Sequence, residues 1–451
     1  MSKGKNEIDM CNGPLLGKIL LFTIPLMLSG ILQLLFNAAD MVVVGNFVGE
    51  SALAAVGSTA SLINLLINVF IGFSVGTNVL VARYYGAKQE KEMQETIHTA
   101  VALSLLCGVF LIMVGLFASR PMLSLMGTPD EVLGQATLYM QIYFLGMPVN
   151  LLYNFGSAIL RAVGDTRRPL YYLSGSGVIN VILNIGFIRI FGMGVEGVAL
   201  ATIVAQAIAA VLVICCLMQS EGALHLELSR VRLTKEQLVR ILRIGLPAGM
   251  QGAIFSASNV LIQSSINSFG SIAMAGSTAA SNIENFVYVS MNACHQTAVS
   301  FVSQNLGAGK LERIKHIFVQ CILLVVVIGL VMGMGCHMFS KQLLGIYSSD
   351  SEVIWYGMRR LALISAPYFI CGVMDTLVGC IRGLGSSVLP MVVSLVGACG
   401  LRILWIFTIF RWFRSWDTLF VSYPVTWTVT AIVHLICLVV LYRHQKWILR
   451  G

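Results

Sequence analysis

Twelve times between residues 15 and 441 the chain runs apolar for about 20 residues, enough helix to cross a hydrocarbon core about 30 Å thick. Read against charged or Gly/Pro breaks, the runs fall near 15–44, 53–81, 97–118, 132–159, 170–190, 195–218, 240–268, 272–303, 316–338, 353–380, 388–410 and 418–441. Only 11% of the 451 residues are charged, against about 25% in ordinary soluble domains. The pattern predicts an all-α polytopic membrane protein. The first run follows a charged tail with no small-residue cleavage site after it, so it reads as a retained span.

The longest polar interval, 219–237, carries Glu221, His225, Glu227, Arg230, Arg232, Lys235 and Glu236 and falls near the middle. It divides the chain into an N-terminal six-helix lobe (1–218), a cytoplasmic linker (219–237) and a C-terminal six-helix lobe (238–451). The net charge of +9 is explained by loop cations that orient a membrane protein, so no nucleic-acid partner is expected. Arg83, Lys88, Lys91, Arg161, Arg167, Arg168, Lys310, Arg313 and Lys315 all lie on the side that holds both termini; Arg120, Lys341, Arg411 and Arg414 lie opposite. Both termini are therefore expected in the cytoplasm, with the chain in the cell (plasma or inner) membrane. Eleven cysteines show no metal-ligand spacing, and neither a metal site nor a cofactor is expected.

The two halves repeat each other. Gly86 and Gly307, Gly164 and Gly385, and Pro169 and Pro390 are each separated by 221 residues, while Pro25 and Pro247 are separated by 222. Six spans per copy insert both copies the same way. The expected arrangement is twelve transmembrane helices in two six-helix lobes related by a pseudo-two-fold axis along the membrane normal, with substrate passing between them.

With these residues in hand, the chain resembles the multidrug and toxic compound extrusion (MATE) family over nearly its whole length. The resemblance rests on Ile24-Pro25-Leu26, Asn37-Ala38-Ala39-Asp40, Leu53-Ala54-Ala55-Val56-Gly57, the Gly86-Ala87 loop and Leu160-Arg161-Ala162-Val163-Gly164 through Pro169. It continues in Asn180-Val181-Ile182-Leu183-Asn184, Gly194-Val195-Glu196-Gly197 through Thr202, and Gln304-Asn305-Leu306-Gly307-Ala308-Gly309. It implies V-shaped lobes, alternating access, and export of organic cations against H⁺ or Na⁺. The acid late in the first span resembles that of the DinF-like branch, whose polar partners in spans four to six match Asn154, Asn180, Asn184 and Thr202. Some relatives carry Asp where this chain has Asn184, so Asp40 is left as the one N-lobe carboxylate and coupling tilts to H⁺.

Physical reasoning reaches the same residues. A carboxylate in hydrocarbon costs about 2.5–3.5 kcal/mol on insertion scales and usually marks an ion or substrate path. Asp40 lies 22 residues beyond Lys18, about 33 Å along a helix at 1.5 Å per residue. The bland alternative is a solvated helix end at the outer headgroups, yet Met41–Val44 continue apolar. Asn180 and Asn184 share a helix face and suit a cation or a protonated acid; interhelical glue is their ordinary use. A buried Thr202 more often bonds its own helix carbonyl. Asn154 reads alike, and Asn64 and Asn68 are weaker cavity candidates. Pro25 leaves one carbonyl free and suits a kink, though prolines are common in spans.

In the C-lobe, Glu284 is the one intramembrane glutamate, a candidate counter-charge for substrate or else a structural partner of Arg402. The resemblance implies an acidic pair in spans seven and ten of some relatives; here the seventh span has no acid and Asp375 lies only seven residues before Arg382, near the cytoplasmic end, so that site is not carried over. His295 reads as a packing histidine.

The candidate cation- and substrate-binding set is therefore Asp40, Asn154, Asn180, Asn184, Thr202 and Glu284, with no catalytic residue. The function expected is secondary active efflux: antiport of amphiphilic, cationic small organic compounds against a cation, H⁺ before Na⁺, by one chain acting alone in the lipid bilayer. No Gly-x-x-x-x-Gly-Lys-Ser/Thr loop is present, so ATP is not the direct driver. A flippase for a lipid-linked saccharide carrier is the alternative and requires a cationic cavity. A membrane enzyme requires a converging catalytic constellation, and the seven histidines are scattered.

Overall fold

The computed structural model describes residues 7–448, and among them every regular element is a helix. The first repeat comprises α1 (Leu15–Phe47), α2 (Glu50–Ala87), α3 (Glu90–Leu125), α4 (Asp130–Leu145), α5 (Met147–Ala162), α6 (Arg167–Arg189) and α7 (Val195–Gln219). Two short 3₁₀ turns, Gly222–Leu224 and Leu228–Arg230, lead to α8 (Lys235–Asn267) and α9 (Ser271–Gly307). Then come α10 (Leu311–Met338), the short α11 (Ser340–Gly345), α12 (Ser351–Ile364) and α13 (Tyr368–Gly383). The chain closes with α14 (Val388–Ser394), a π-helical turn (Leu395–Gly400), α15 (Leu401–Phe407), α16 (Ile409–Trp412) and α17 (Trp416–Ile448).

Each of the twelve apolar runs becomes one helix or one broken helix. Among the described residues nine segments are long and apolar enough to cross a bilayer, or ten with α12 and α13, which meet at a 50° bend. The other two are exceptional for physical reasons. α4 and α5 have only 16 residues each and break at Gly146, with Pro148 opening the second piece. α9 is polar because it is largely interior, with Ser277, Glu284, Ser290, His295, Ser300, Ser303, Gln304 and Asn305 all buried. Burial on α3 runs the opposite way to that of a soluble bundle. Leu106, Val109, Phe110, Met113 and Phe117 are exposed while Leu103, Cys107 and Leu111 are buried, an apolar stripe that only lipid can cover.

The chain divides into two compact units. The first is Met1–Asp9 with Leu28–Gly249, the second Met10–Met27 with Met250–Gly451. Of the three changes of unit, the two inside helices fall two residues beyond a proline, Pro25 in α1 and Pro247 in α8. The opening half of α8 therefore packs in the first unit, where Gly72 and Gly76 of α2 meet Gly245 and Gly249 backbone to backbone. Two small-xxx-small faces allow that approach, since a Cβ at Gly72 would collide with Gly249. In the second unit the opening half of α1 lies on α9. There Thr23 and Thr297 hydroxyls hydrogen-bond at 2.9 Å, and Phe22 meets Phe301 edge to face at 5.4 Å. The 219–237 interval packs on α3, the Glu227 amide donating to His98 Nε2 at 3.2 Å and the Thr234 amide to Thr99 Oγ1 at 3.2 Å.

The 221-residue register extends to single backbone torsions. Gly49 and Gly270, Gly164 and Gly385, and Lys88 and Gly309 all have positive φ. At the ends of α2 and α9 the same paired bonds recur. Lys88 and Gln89 amides donate to the Tyr85 and Tyr84 carbonyls, and Gly309 and Lys310 amides to those of Leu306 and Asn305. Lys88, at φ 59°, is the one non-glycine residue with positive φ among the described residues. Its second-repeat partner is glycine, and its side chain is exposed. Lys88→Gly is therefore expected to stabilise the first unit by about 0.5–1 kcal/mol, strain relief exceeding the entropy cost of glycine. Thermal unfolding in detergent beside Lys91→Gly, which has no strain to relieve, checks it.

Candidate functional site

Asp40 sits in the last quarter of α1, half-buried. Asn184 of α6 donates from Nδ2 to Asp40 Oδ1 at 2.5 Å. The same amide lies 3.4 Å from Asn180 Oδ1, one turn earlier, and Asn180 Nδ2 lies 3.4 Å from Thr202 Oγ1 on α7. Thr202 in turn donates to the Val198 carbonyl at 3.0 Å, closing the chain on its own helix. Asp40, Asn184, Asn180 and Thr202 thus form one polar node from three helices of the first unit. Asn180 and Asn184 are buried, at 5% and 0% exposure.

Helical spacing explains the convergence. Positions four apart on α6 stack on one face, and Gly177, one turn before Asn180, lets Phe36 of α1 press against the α6 backbone. That contact brings α1 close enough for Asp40 to reach Asn184. Tyr139 and Tyr143 of α4, with ring centroids 6.0 Å apart, lie within electrostatic range of Asp40, and Tyr143 is hydrogen-bonded to Gln206. These three were missed from sequence, where Tyr and Gln inside a span read as ordinary packing.

One atom of the node is unspent. Asn184 Oδ1 is buried without a hydrogen-bond partner. Since carboxamide O and N differ only by a flip, the amide can serve either form of the acid. Nδ2 donates to a carboxylate, whereas Oδ1 after a flip accepts from a carboxylic O–H. The same oxygens (Asp40, Asn184, Asn180, Thr202) also offer a monovalent cation a set of ligands.

The remaining candidates go elsewhere. Asn154 on α5 turns back on its own helix, donating to the Asn150 carbonyl at 2.9 Å and Asn150 Oδ1 at 3.0 Å. Asn64 is exposed and Asn68 half-buried. Glu284, in the second unit, is held by Arg360 through two parallel bonds of 3.0 and 2.8 Å, while Arg360 Nη1 donates to Ser277 Oγ at 2.5 Å. Its partner is thus Arg360 of α12, not Arg402. His295 lies 2.7 Å from the Asp375 carbonyl, and Asn292 donates to the Asp375 carboxylate at 3.1 Å. Arg382 donates to Gln251 at 2.8 Å, and Gln251 to Ser394 at 3.1 Å.

The MatE family model matches the chain twice, over residues 25–186 and 247–408. Among curated relatives, the "Probable multidrug resistance protein YoeA" of Bacillus subtilis (strain 168) is 30% identical over 390 residues, 85% of this chain and 84% of its own. "Multidrug export protein MepA" of Staphylococcus saprophyticus is 24% identical over 367 residues, 81% of each chain. A solved outward-facing multidrug resistance MATE family transporter of the MOP superfamily matches with a TM-score of 0.92 at 21% identity. That match covers 99% of this chain and 100% of the other, and at such identity it speaks to fold.

Proposed function

The chain belongs to the MatE family of membrane transporters, and from that premise we propose that it exports amphiphilic, cationic organic compounds in exchange for protons, with Asp40 as the exchanging group. MATE transporters are not enzymes, and the flippase alternative finds no support among the relatives. The observation that carries the proton reading is the Asp40–Asn184–Asn180–Thr202 node, a single carboxylate among neutral hydrogen-bonding groups. A half-buried acid with no cationic partner among the described residues is held by its surroundings for either a proton or an organic cation, and not for both at once. The Asn184 amide fits both protonation states by flipping, so it follows the proton without an ion of its own. The relatives named for multidrug resistance and multidrug export support the substrate class. We further infer cytoplasmic termini, from the loop cations.

Two experiments bear on this reading. Proteoliposomes without ATP, loaded acidic inside, are expected to accumulate ethidium under the pH gradient alone; a collapse of the signal only when Na⁺ is removed would overturn proton coupling. Asn184→Asp adds a second carboxylate to the node and should turn it toward Na⁺. Efflux by that variant is expected to become Na⁺-stimulated, with wild type unaffected by Na⁺ at constant pH.

A further inference from the structure

The two repeats share helices and register but not charge. Pro169 and Pro390 stand 221 residues apart, whereas the two family matches end at 186 and 408, 222 apart. The π-helical turn Leu395–Gly400 lies between those points and absorbs one extra residue. Side-chain contacts from within that turn onward keep the register of 222. Gly177 lies against Phe36, and Cys399 hydrogen-bonds Ser258, each partner displaced by that number.

In this register Asp40 answers Ile262 and Asn180 answers Arg402. The second unit thus has a buried isoleucine, 2% exposed, in place of the carboxylate, and a buried arginine, 5% exposed, in place of the amide. The local bonding is otherwise copied. Arg402 Nη2 donates to Thr426 Oγ1 at 3.2 Å, as Asn180 does to Thr202, and Thr426 donates to the Ser422 carbonyl at 2.8 Å. The guanidinium lies over the Tyr423 ring at 3.9 Å, with Trp427 at 6.0 Å. Its Nε is buried with no partner, and among the described residues no carboxylate pairs with it. Glu284, the partner suggested from sequence, is committed to Arg360.

We propose that Arg402 is the anion-binding centre of the second unit, taking the carboxylate or phosphate of a planar aromatic solute. A guanidinium stacked on a ring keeps its edge for bidentate donation to such groups. Arg402 is a buried cation whose counter-charge the described residues do not supply, and a ligand supplies it. The substrate class then extends to zwitterions and aromatic anions. This rests on the export reading only in treating the bound solute as cargo.

The test is equilibrium binding to the full chain in neutral detergent, with flavin mononucleotide and riboflavin, which share a ring system and differ by a phosphate. Wild type is expected to bind the phosphate form tighter by about tenfold or more, the range of a charge-assisted pair. Arg402→Gln should erase the preference, bringing the ratio of the two affinities to about one. Ile262→Asp keeps Arg402 but supplies the first unit's carboxylate, and it should erase the preference too. Equal binding of the two flavins by wild type, or a preference surviving in Arg402→Gln, overturns the proposal. Displacement by phosphatidylglycerol in mixed micelles assigns the centre to a lipid headgroup and overturns it as well. Since binding is read without a gradient, a preference that persists while ethidium efflux is absent sinks the export reading and leaves Arg402 as proposed.

Discussion

Asp40→Asn is expected to abolish proton-driven ethidium efflux while leaving the protein folded. The substitution changes one atom, and an amide at position 40 can still bond Asn184, so the packing of α1 on α6 has no reason to fail. What disappears is the exchangeable proton and the negative charge that an organic cation would replace. Loss should reach at least about 100-fold, in line with removal of an essential proton-transfer group. Asp40→Glu, which keeps the charge on a longer stem, should retain partial activity. Efflux from energised inside-out vesicles at matched protein level reads both. Normal efflux by Asp40→Asn would place the exchange at another residue.

Arg360→Met is expected to be the most destabilising of the substitutions considered. Arg360 and Glu284 are buried side by side, at 7% and 5% exposure, and Arg360 also stacks over Phe420 at 5.0 Å. Removing one partner strands a charge in the bundle, at a cost of about 3–5 kcal/mol. The pair itself contributes little beyond its own desolvation, so Glu284→Gln combined with Arg360→Met should recover most of the loss. The check is a thermal-unfolding cycle in detergent with both singles and the double. Additive effects would mean that the two residues act separately, and Glu284 would then be free to meet substrate.

The parts of this molecule that were legible in sequence are those that local physics writes directly. Apolar runs gave the spans because hydrocarbon demands them, and Gly164, Gly385, Pro169 and Pro390 marked the repeat because turns need those residues. Asp40, Asn180 and Asn184 stood out because polar groups inside a span are costly and the helical period puts the two asparagines on one face, while Thr202 came from the family resemblance. Asn154 belongs to the same class of residue, yet its amide is spent on Asn150. Pairing over distance was not legible. Glu284 and Arg360 lie 76 residues apart in no fixed period, so Arg402 was an equally reasonable partner. The π-helical turn leaves only a change from 221 to 222 in the repeat, too small to notice before the helix is seen. Nor does any sequence signal announce that the opening half of α8 packs with the first unit; the Gly72/Gly76 and Gly245/Gly249 pairs explain it afterwards.

Proton release on substrate binding addresses Asp40 without any membrane or gradient. Detergent-solubilised protein in weak buffer, near the pH at which wild-type efflux is half-maximal, is titrated with tetraphenylphosphonium while pH is recorded. If cation and proton exclude each other at Asp40, wild type releases up to about one proton per bound cation, fewer as pH rises, and Asp40→Asn releases none. Binding without proton release in wild type, or equal release from Asp40→Asn, would contradict proton exchange at this carboxylate.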